Sequence, residues 1–119
     1  MQDDLEYEKT EIARRLKDEV KRLAGGWYFI DEAAAAIALQ HGWTDLRRMQ
    51  FGGAMLQSGT SRRLRVRNPS NYHQVQEGES VSIACVVTRG DVNRWLISMG
   101  ANFRWNPVER RRVAKVKVT

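Results

Sequence analysis

Arginine is the residue type in this chain best suited to chemistry, and the segment 62–67, RRLRVR, spaces it in a useful way. In an extended backbone the side chains alternate between two faces. Arg63, Arg65 and Arg67 would therefore lie on one face about 7 Å apart, while Leu64 and Val66 face the core. That interval is close to the spacing of phosphates along a nucleic-acid strand. The segment predicts a half-buried strand whose arginines contact phosphates.

A second basic group lies near the C-terminus, in the stretch 103–113, FRWNPVERRRV. Asn106-Pro107 favours a tight turn between two strands, about 102–105 and 110–118. Trp105, just before the turn, is either an apolar anchor in the core or a platform for a stacked base. The predicted nucleic-acid contacts are Arg62, Arg63, Arg65, Arg67, Arg104, Trp105, Arg110, Arg111, Arg112, Lys115 and Lys117, with Tyr72 as a further stacking candidate.

The charge of the chain is unevenly distributed. The whole chain carries 20 Lys and Arg against 14 Asp and Glu, a net charge of +6. Residues 1–32 hold nine acidic and six basic groups, a net −3, whereas residues 33–119 hold five acidic and fourteen basic groups, a net +9. Twelve of those fourteen are arginines, whose flat guanidinium forks match phosphate oxygens better than lysine does. This asymmetry predicts a polyanionic partner.

Side chains that could support catalysis or hold a metal are few and scattered. The chain has two histidines, His41 and His73, and one cysteine, Cys85, which lies in an apolar run. Cys85 is expected to be a small buried side chain without a disulfide. The acidic groups between Asp45 and Glu109 are too dispersed to assign to a metal site. We expect no catalytic residue, metal or cofactor; a metal-dependent nuclease is the enzymatic alternative.

Two further features concern location. The longest apolar run, 33–39, is much shorter than a membrane span. The first residues are acidic, unlike the basic start of a secretory signal. We therefore expect no membrane partner and a cytoplasmic protein.

The elements that must position these residues begin with a long amphipathic helix, predicted over about 3–24 and ended by Gly25-Gly26. Its apolar stripe packs on the domain's own core or, alternatively, forms a homodimer. Packing on the core is the simpler expectation. The stripe consists of Leu5, Ile12, Leu16, Val20 and Leu23.

Two consecutive helices follow, in the outline of a helix–turn–helix. Asp31 is a good N-cap for a helix over 32–40, and a second helical turn is predicted over 44–51. Gly52-Gly53 is expected to end it. A DNA-reading unit also needs apolar anchors, yet Arg48 stands where a buried aliphatic side chain is expected, so two ordinary packed helices are preferred. The positions that do fit the DNA-reading spacing are Ala38, Gly42, Trp43 and Phe51.

From residue 56 onward the pattern changes to strands and turns. The alternating segment 61–67 predicts one strand, and the β-branched run 81–88 predicts a central one. A short helix over 92–99, closed by Gly100, precedes the C-terminal hairpin.

These elements predict a single α+β domain over 1–119. Its N-terminal helices, within a mainly helical part over 1–51, pack on a small mixed or antiparallel sheet. That sheet belongs to a mainly β part over 56–118, in which one short helix comes before the C-terminal hairpin.

The segment from about 83 to 113 resembles the helix–hairpin unit "LGxxWDPxxKxW" of HARP-type annealing helicases and TraC-type plasmid primases. In those families the unit is associated with DNA-processing proteins, so the resemblance implies a role near DNA. This chain departs from the unit at Asn106, where an Asp is usual, and at Arg112, in place of a second aromatic residue. The matching residues are Met99-Gly100, Trp105, Asn106-Pro107 and Arg110.

The sequence as a whole predicts a small basic nucleic-acid-binding protein without enzymatic activity. Single-stranded DNA or RNA is favoured over duplex, because the recognition-helix pattern is poor and a sheet bearing arginines and aromatic rings suits splayed bases. The alternative is a protein-binding adaptor or inhibitor, of the kind encoded by phages and mobile elements, that docks on an acidic surface of a larger complex.

Overall fold

The computed structural model describes residues 2–106, of which residues 2 and 3 are described by their backbone only. This part of the chain is a small α+β fold, as expected, with more helix and less strand than the sequence pattern predicts. No helix within it is long and apolar enough to cross a membrane. In chain order the elements are α1 (Gln2–Ala24), β1 (Tyr28–Phe29), α2 (Ile30–His41), α3 (Asp45–Thr60), β2 (Val86–Val87) and α4 (Arg89–Ser98).

Helix α1 stands apart from the rest of the fold and is held by its last turn. The Arg22 guanidinium donates hydrogen bonds to both carboxylate oxygens of Glu32, at 2.6 and 3.0 Å, and to the carbonyl oxygen of Trp27 at 2.9 Å. It also lies 3.9 Å from the centroid of the Phe29 ring. The apolar stripe is exposed from Leu5 to Val20, so the expectation that it packs on the domain's own core is wrong.

The contact between Arg22 and Glu32 shifts the pKa of both groups. Burial alone would raise the pKa of Glu32, but hydrogen bonds from Arg22 and from the Phe29 N–H outweigh it and lower the pKa below its ordinary 4.5. The hydrogen bond to Glu32 in turn raises the pKa of Arg22. Both groups are therefore held in their charged forms.

Helix α2 begins one residue before the predicted cap. Phe29 is the N-cap, and its backbone N–H donates to Glu32 Oε1 at 2.8 Å, so Asp31 lies inside the first turn instead of capping it. The helix ends at His41, one residue beyond the predicted end, and is followed by Gly42 with a left-handed φ of 67°.

Helix α3 runs without interruption through Gly52-Gly53 to Thr60, so the predicted break at the glycine pair is wrong. Ile37 of α2 and Met55 of α3 are both fully buried in the shared core. A Cβ at Gly52 would lie 3.6 Å from the Ala34 side chain, which shows how closely the two helices approach there. Tertiary packing of this kind outweighs the cost of about 1 kcal/mol for each helical glycine.

The sheet is smaller than predicted. Strand β1 pairs antiparallel with β2, Tyr28 opposite Val87 and Phe29 opposite Val86. Arg67 extends this arrangement by single antiparallel bridges to Val86 and to Gln74. Three predicted strands are therefore wrong. The segment 61–67 contributes only Arg67 to the pairing and the segment 81–88 only Val86–Val87, while 102–105 has no strand structure. The predicted strand 110–118 lies outside the described residues.

The core lies between α2, α3, α4 and the paired segments. Trp95 of α4 and Leu64 are almost completely buried within it, and Trp105 packs on it with 5% of its surface exposed. Helix α4 starts at Arg89, three residues earlier than predicted, because Thr88 Oγ1 accepts from the Asp91 N–H at 3.1 Å. Among residues 2–106, no residue of α1 belongs to this core.

Candidate nucleic-acid interface

Arg63 and Arg65 project from the fold as their spacing predicts. Leu64 and Val66, between and after them, are buried with 1% and 3% of their surface exposed, while both arginines are exposed. The alternation of buried and exposed residues is therefore right even though the segment is not a regular strand. Packing of Leu64 and Val66 fixes the side of the backbone from which the two guanidinium groups extend.

A third arginine, which local spacing does not reveal, comes from a different element. Arg94 of α4 is exposed and lines the same shallow depression as Arg63 and Arg65. Trp95, whose buried Nε1 has no hydrogen-bond partner within residues 2–106, contributes to the wall. Arg94 cannot be assigned from the sequence because only the folded chain brings α4 beside the segment 63–65. We refer to Arg63, Arg65 and Arg94 as the arginine cluster.

Arg67, the third member of the predicted row, has an internal partner. Its Nε lies 3.1 Å from Oδ2 of Asp91, a carboxylate with 3% of its residue surface exposed, and its Nη1 donates to the Tyr72 carbonyl oxygen at 3.3 Å. Asp91 also accepts from the Thr88 N–H at 3.3 Å. Arg67 therefore neutralises a buried charge and is not available for a phosphate as Arg63 and Arg65 are.

Two other predicted contacts are also occupied by the protein itself. Arg62, in a left-handed conformation with φ of 67°, donates to the carbonyl oxygens of Val75 (2.6 Å) and Gln76. Arg104 donates to the carbonyl oxygens of Ala101 and Phe103, at 2.9 and 2.7 Å. These guanidinium groups close loops, so we leave both arginines out of the proposed phosphate-binding residues.

The aromatic candidates also serve the fold. Trp105 is buried, its ring lies edge-on to Tyr28 at 4.8 Å, and its backbone N–H donates to Asn93 Oδ1 at 2.8 Å. Of the two interpretations, the structure places Trp105 in the core. Tyr72 stacks on Trp27, with centroids 4.4 Å apart and planes 3° from parallel. One face of the Tyr72 ring is thus already covered.

The helix–turn–helix outline corresponds to a tightly packed pair, α2 and α3. The predicted anchors Trp43 and Phe51 contact each other edge-on at 5.1 Å and pack against the core. Arg48, at the position where an aliphatic anchor is expected, is half-exposed, and its Nε lies 3.8 Å from an Asp45 carboxylate oxygen. Arg47 lies over the Trp43 ring at 4.3 Å. Reading of duplex DNA by this pair stays the less favoured of the two interpretations.

The remaining sequence predictions concern basic residues near the C-terminus and metal ligands. Cys85 is buried, as expected. Among residues 2–106, no three His, Cys, Asp or Glu side chains come together as a metal site would require. The predicted contacts outside the described residues are Arg110, Arg111, Arg112, Lys115 and Lys117.

Comparison of the chain with protein-family models, with curated proteins and with solved structures gives no match. The arginine cluster must therefore be interpreted from its own geometry.

Proposed function

We propose that this protein binds nucleic acid without enzymatic activity, through phosphate contacts made by the arginine cluster. The observation that carries the proposal is the convergence of Arg63, Arg65 and Arg94 on one depression. Two rigid attachments hold them there: the buried alternate residues of the segment 63–66, and helix α4.

The charge balance of the depression supports this proposal. The one carboxylate that lines it, Asp91, is buried and hydrogen-bonded to Arg67, so it is already neutralised. Within the described chain, none of the three clustered guanidinium groups forms an ion pair with a carboxylate. Exposed arginines that converge without a neutralising partner create a local positive potential, which attracts a polyanion.

The structure weakens one reason for preferring single strands. Trp105 is buried and Tyr72 already stacks on Trp27, so neither ring is a free platform for an extruded base. Phosphates are common to single strands and duplexes. The proposal therefore names the phosphate backbone as the ligand chemistry, and the binding assay compares the strand types directly.

The test is fluorescence anisotropy with labelled single-stranded DNA, duplex DNA and RNA of equal length, each over a salt series. We expect affinity for the bound forms to fall steeply between about 50 and 200 mM salt. Replacing all three clustered arginines by alanine should weaken binding about tenfold or more. It should also reduce the salt slope by roughly 0.7 to 0.9 for each phosphate that the variant no longer neutralises.

A matched control removes the same charge elsewhere. The variant Arg14→Ala/Lys17→Ala/Lys21→Ala also loses three positive charges, from exposed positions on α1. If both triple variants weaken binding equally, only net charge matters and the arginine cluster is not the site. If the wild type binds none of the probes at low salt, the proposal itself is wrong.

A further variant separates the cluster from the C-terminal basic residues. Replacing Arg110, Arg111, Arg112, Lys115 and Lys117 by glutamine in the full chain should lower the salt slope independently of the cluster variant. If this change alone abolishes binding while the cluster variant binds normally, the phosphate contacts lie in that segment.

The adaptor alternative uses the same exposed arginines, since a guanidinium group pairs with carboxylates as well as with phosphates. It predicts a protein partner that remains bound after nuclease treatment. Nucleic-acid binding instead predicts co-purifying material with a high ratio of absorbance at 260 nm to that at 280 nm. Nuclease treatment of the purified protein decides between them.

A further inference from the structure

The apolar stripe of α1 lies on a helix that leaves the fold. Four of its members expose more than half of their surface: Leu5 (51%), Ile12 (57%), Leu16 (56%) and Val20 (66%). A solvated helix gains most of its stability by burying such a stripe against another element. No α1 residue belongs to the core formed within residues 2–106, so this part of the chain leaves most of the stripe uncovered.

Four of the five stripe residues have the spacing of a coiled coil, and Val20 lies at the adjoining e position. Leu5, Ile12 and Glu19 follow one another every seven residues, and so do Lys9, Leu16 and Leu23. The two series are offset by four and three residues, which places them at the d and a positions of a heptad repeat. One position in each series is charged: Glu19 in the first and Lys9 in the second.

Those two charged positions distinguish the orientations of a helix pair. In a parallel pair each position meets its own copy, so Lys9 would face Lys9 and Glu19 would face Glu19. In an antiparallel pair each d residue faces an a residue of the other helix. Ile12 then faces Leu16, Leu5 faces Leu23, and Lys9 faces Glu19 of the second copy. Each pair of facing residues forms one layer of the interface. All six layers then pair either two apolar side chains or two opposite charges.

The flanking charges favour the same orientation. Residues 4–11 carry four carboxylates and one lysine, a net −3, whereas residues 14–21 carry four cations and two carboxylates, a net +2. An antiparallel pair sets the acidic half of one helix beside the basic half of the other. A parallel pair would set like charges together along the whole length.

We propose that the protein forms a homodimer by antiparallel pairing of α1, with the Ile12–Leu16 layers at the centre and a Lys9–Glu19 layer on each side of them. The exposed stripe is then the dimer interface. This inference is independent of nucleic-acid binding, because it rests on α1 alone and does not involve the arginine cluster.

The test is a charge exchange followed by sedimentation over a concentration series. Lys9→Glu and Glu19→Lys each place like charges in two layers, and each should raise the dimer dissociation constant about tenfold or more. The double variant Lys9→Glu/Glu19→Lys restores opposite charges and should recover the wild-type constant. Both positions are exposed, so circular dichroism should show an unchanged fold.

Disulfide capture checks the orientation directly. A mixture of Leu5→Cys and Leu23→Cys chains should form a cross-linked dimer, whereas Leu5→Cys alone should not, because its two copies lie at opposite ends. The wild type is the blank, since its cysteine, Cys85, is buried. A monomeric wild type, single charge variants that dimerise normally, or cross-linking of Leu5→Cys alone would each overturn the proposal.

Discussion

At the scale of single residues, the arginines of this chain divide into those with internal partners and those that face solvent. Arg22, Arg62, Arg67 and Arg104 all donate to groups of the protein itself. Arg63, Arg65 and Arg94 extend into solvent. Neither composition nor spacing distinguishes the arginines with internal partners from those that face solvent. The difference depends on whether folding brings a carboxylate or a free carbonyl oxygen within reach.

The pair Arg67–Asp91 gives a prediction at this scale. Arg67→Ala should lower the free energy of unfolding by about 3 kcal/mol, because it leaves the Asp91 carboxylate buried without its main partner. Arg65→Ala, in the same segment but exposed, should change it by no more than about 0.5 kcal/mol. Urea denaturation followed by tryptophan fluorescence measures both. Equal effects of the two variants would mean that the ion pair does not stabilise the fold.

At the scale of elements, the sequence predicts helices better than strands. The apolar period of α1 and the ends of α2 and α4 near Gly42 and Gly100 depend on local residues, so they can be recognised without knowing the fold. The alternation at 63–66 likewise predicts which side chains are buried. It cannot predict strand pairing, because hydrogen-bond partners such as Val86 for Arg67 lie far away in the chain.

The last turn of α3 provides a prediction about packing between elements. A Cβ added at Gly59 would lie 2.6 Å from Val66 Cγ2 and 3.3 Å from Val81 Cγ1. Gly59→Ala should therefore overpack this crossing and destabilise the protein by about 1–3 kcal/mol. In the same helix, a Cβ at Gly53 has no atom within 4 Å, so Gly53→Ala should stabilise the protein by up to about 1 kcal/mol. Thermal unfolding compares the two variants.

A compensating substitution makes this test specific. Adding Val66→Ala to Gly59→Ala removes the nearest clashing methyl group, so the two changes together should cost less than the sum of each alone. Strict additivity would show that Gly59 is required for a reason other than the closeness of Val66.

At the scale of the whole molecule, the candidate site can be predicted only in part. The exposure of Arg63 and Arg65 follows from the sequence, because the alternating apolar residues Leu64 and Val66 indicate which face of the segment is buried. Arg94 does not, because the arginine cluster is assembled by the packing of α4 beside a segment about thirty residues earlier. The exposure of α1 does not follow either, since an amphipathic stripe does not indicate whether its partner belongs to the same chain.

The attachment of α1 to the rest of the molecule should depend on pH. Because the pKa of Glu32 is lowered in the fold, its stabilising contribution is complete above the ordinary value of 4.5 and is lost as the pH falls through the lower folded value. Glu32→Gln should lose about 1–2 kcal/mol at neutral pH and show a flatter acid dependence in that window. Thermal unfolding from neutral to acidic pH measures this.

The control for that measurement is Glu6→Gln, which removes a carboxylate from an exposed position on α1. It should leave both the neutral-pH stability and the acid dependence close to those of the wild type. If Glu6→Gln and Glu32→Gln behave alike, the acid dependence does not come from the Arg22–Glu32 contact.

The attachment of α1 through its last turn also has a mechanical consequence. Eighteen residues separate Asp4 from Arg22, a distance of about 27 Å at 1.5 Å per helical residue. The helix can therefore act as a rigid arm that pivots about the contacts of the Arg22 guanidinium with the Glu32 carboxylate and the Phe29 ring. A rotation of only about 10° at that pivot would move the far end by about 5 Å, nearly one helical turn. The geometry of one ion pair therefore sets where the whole N-terminal arm points.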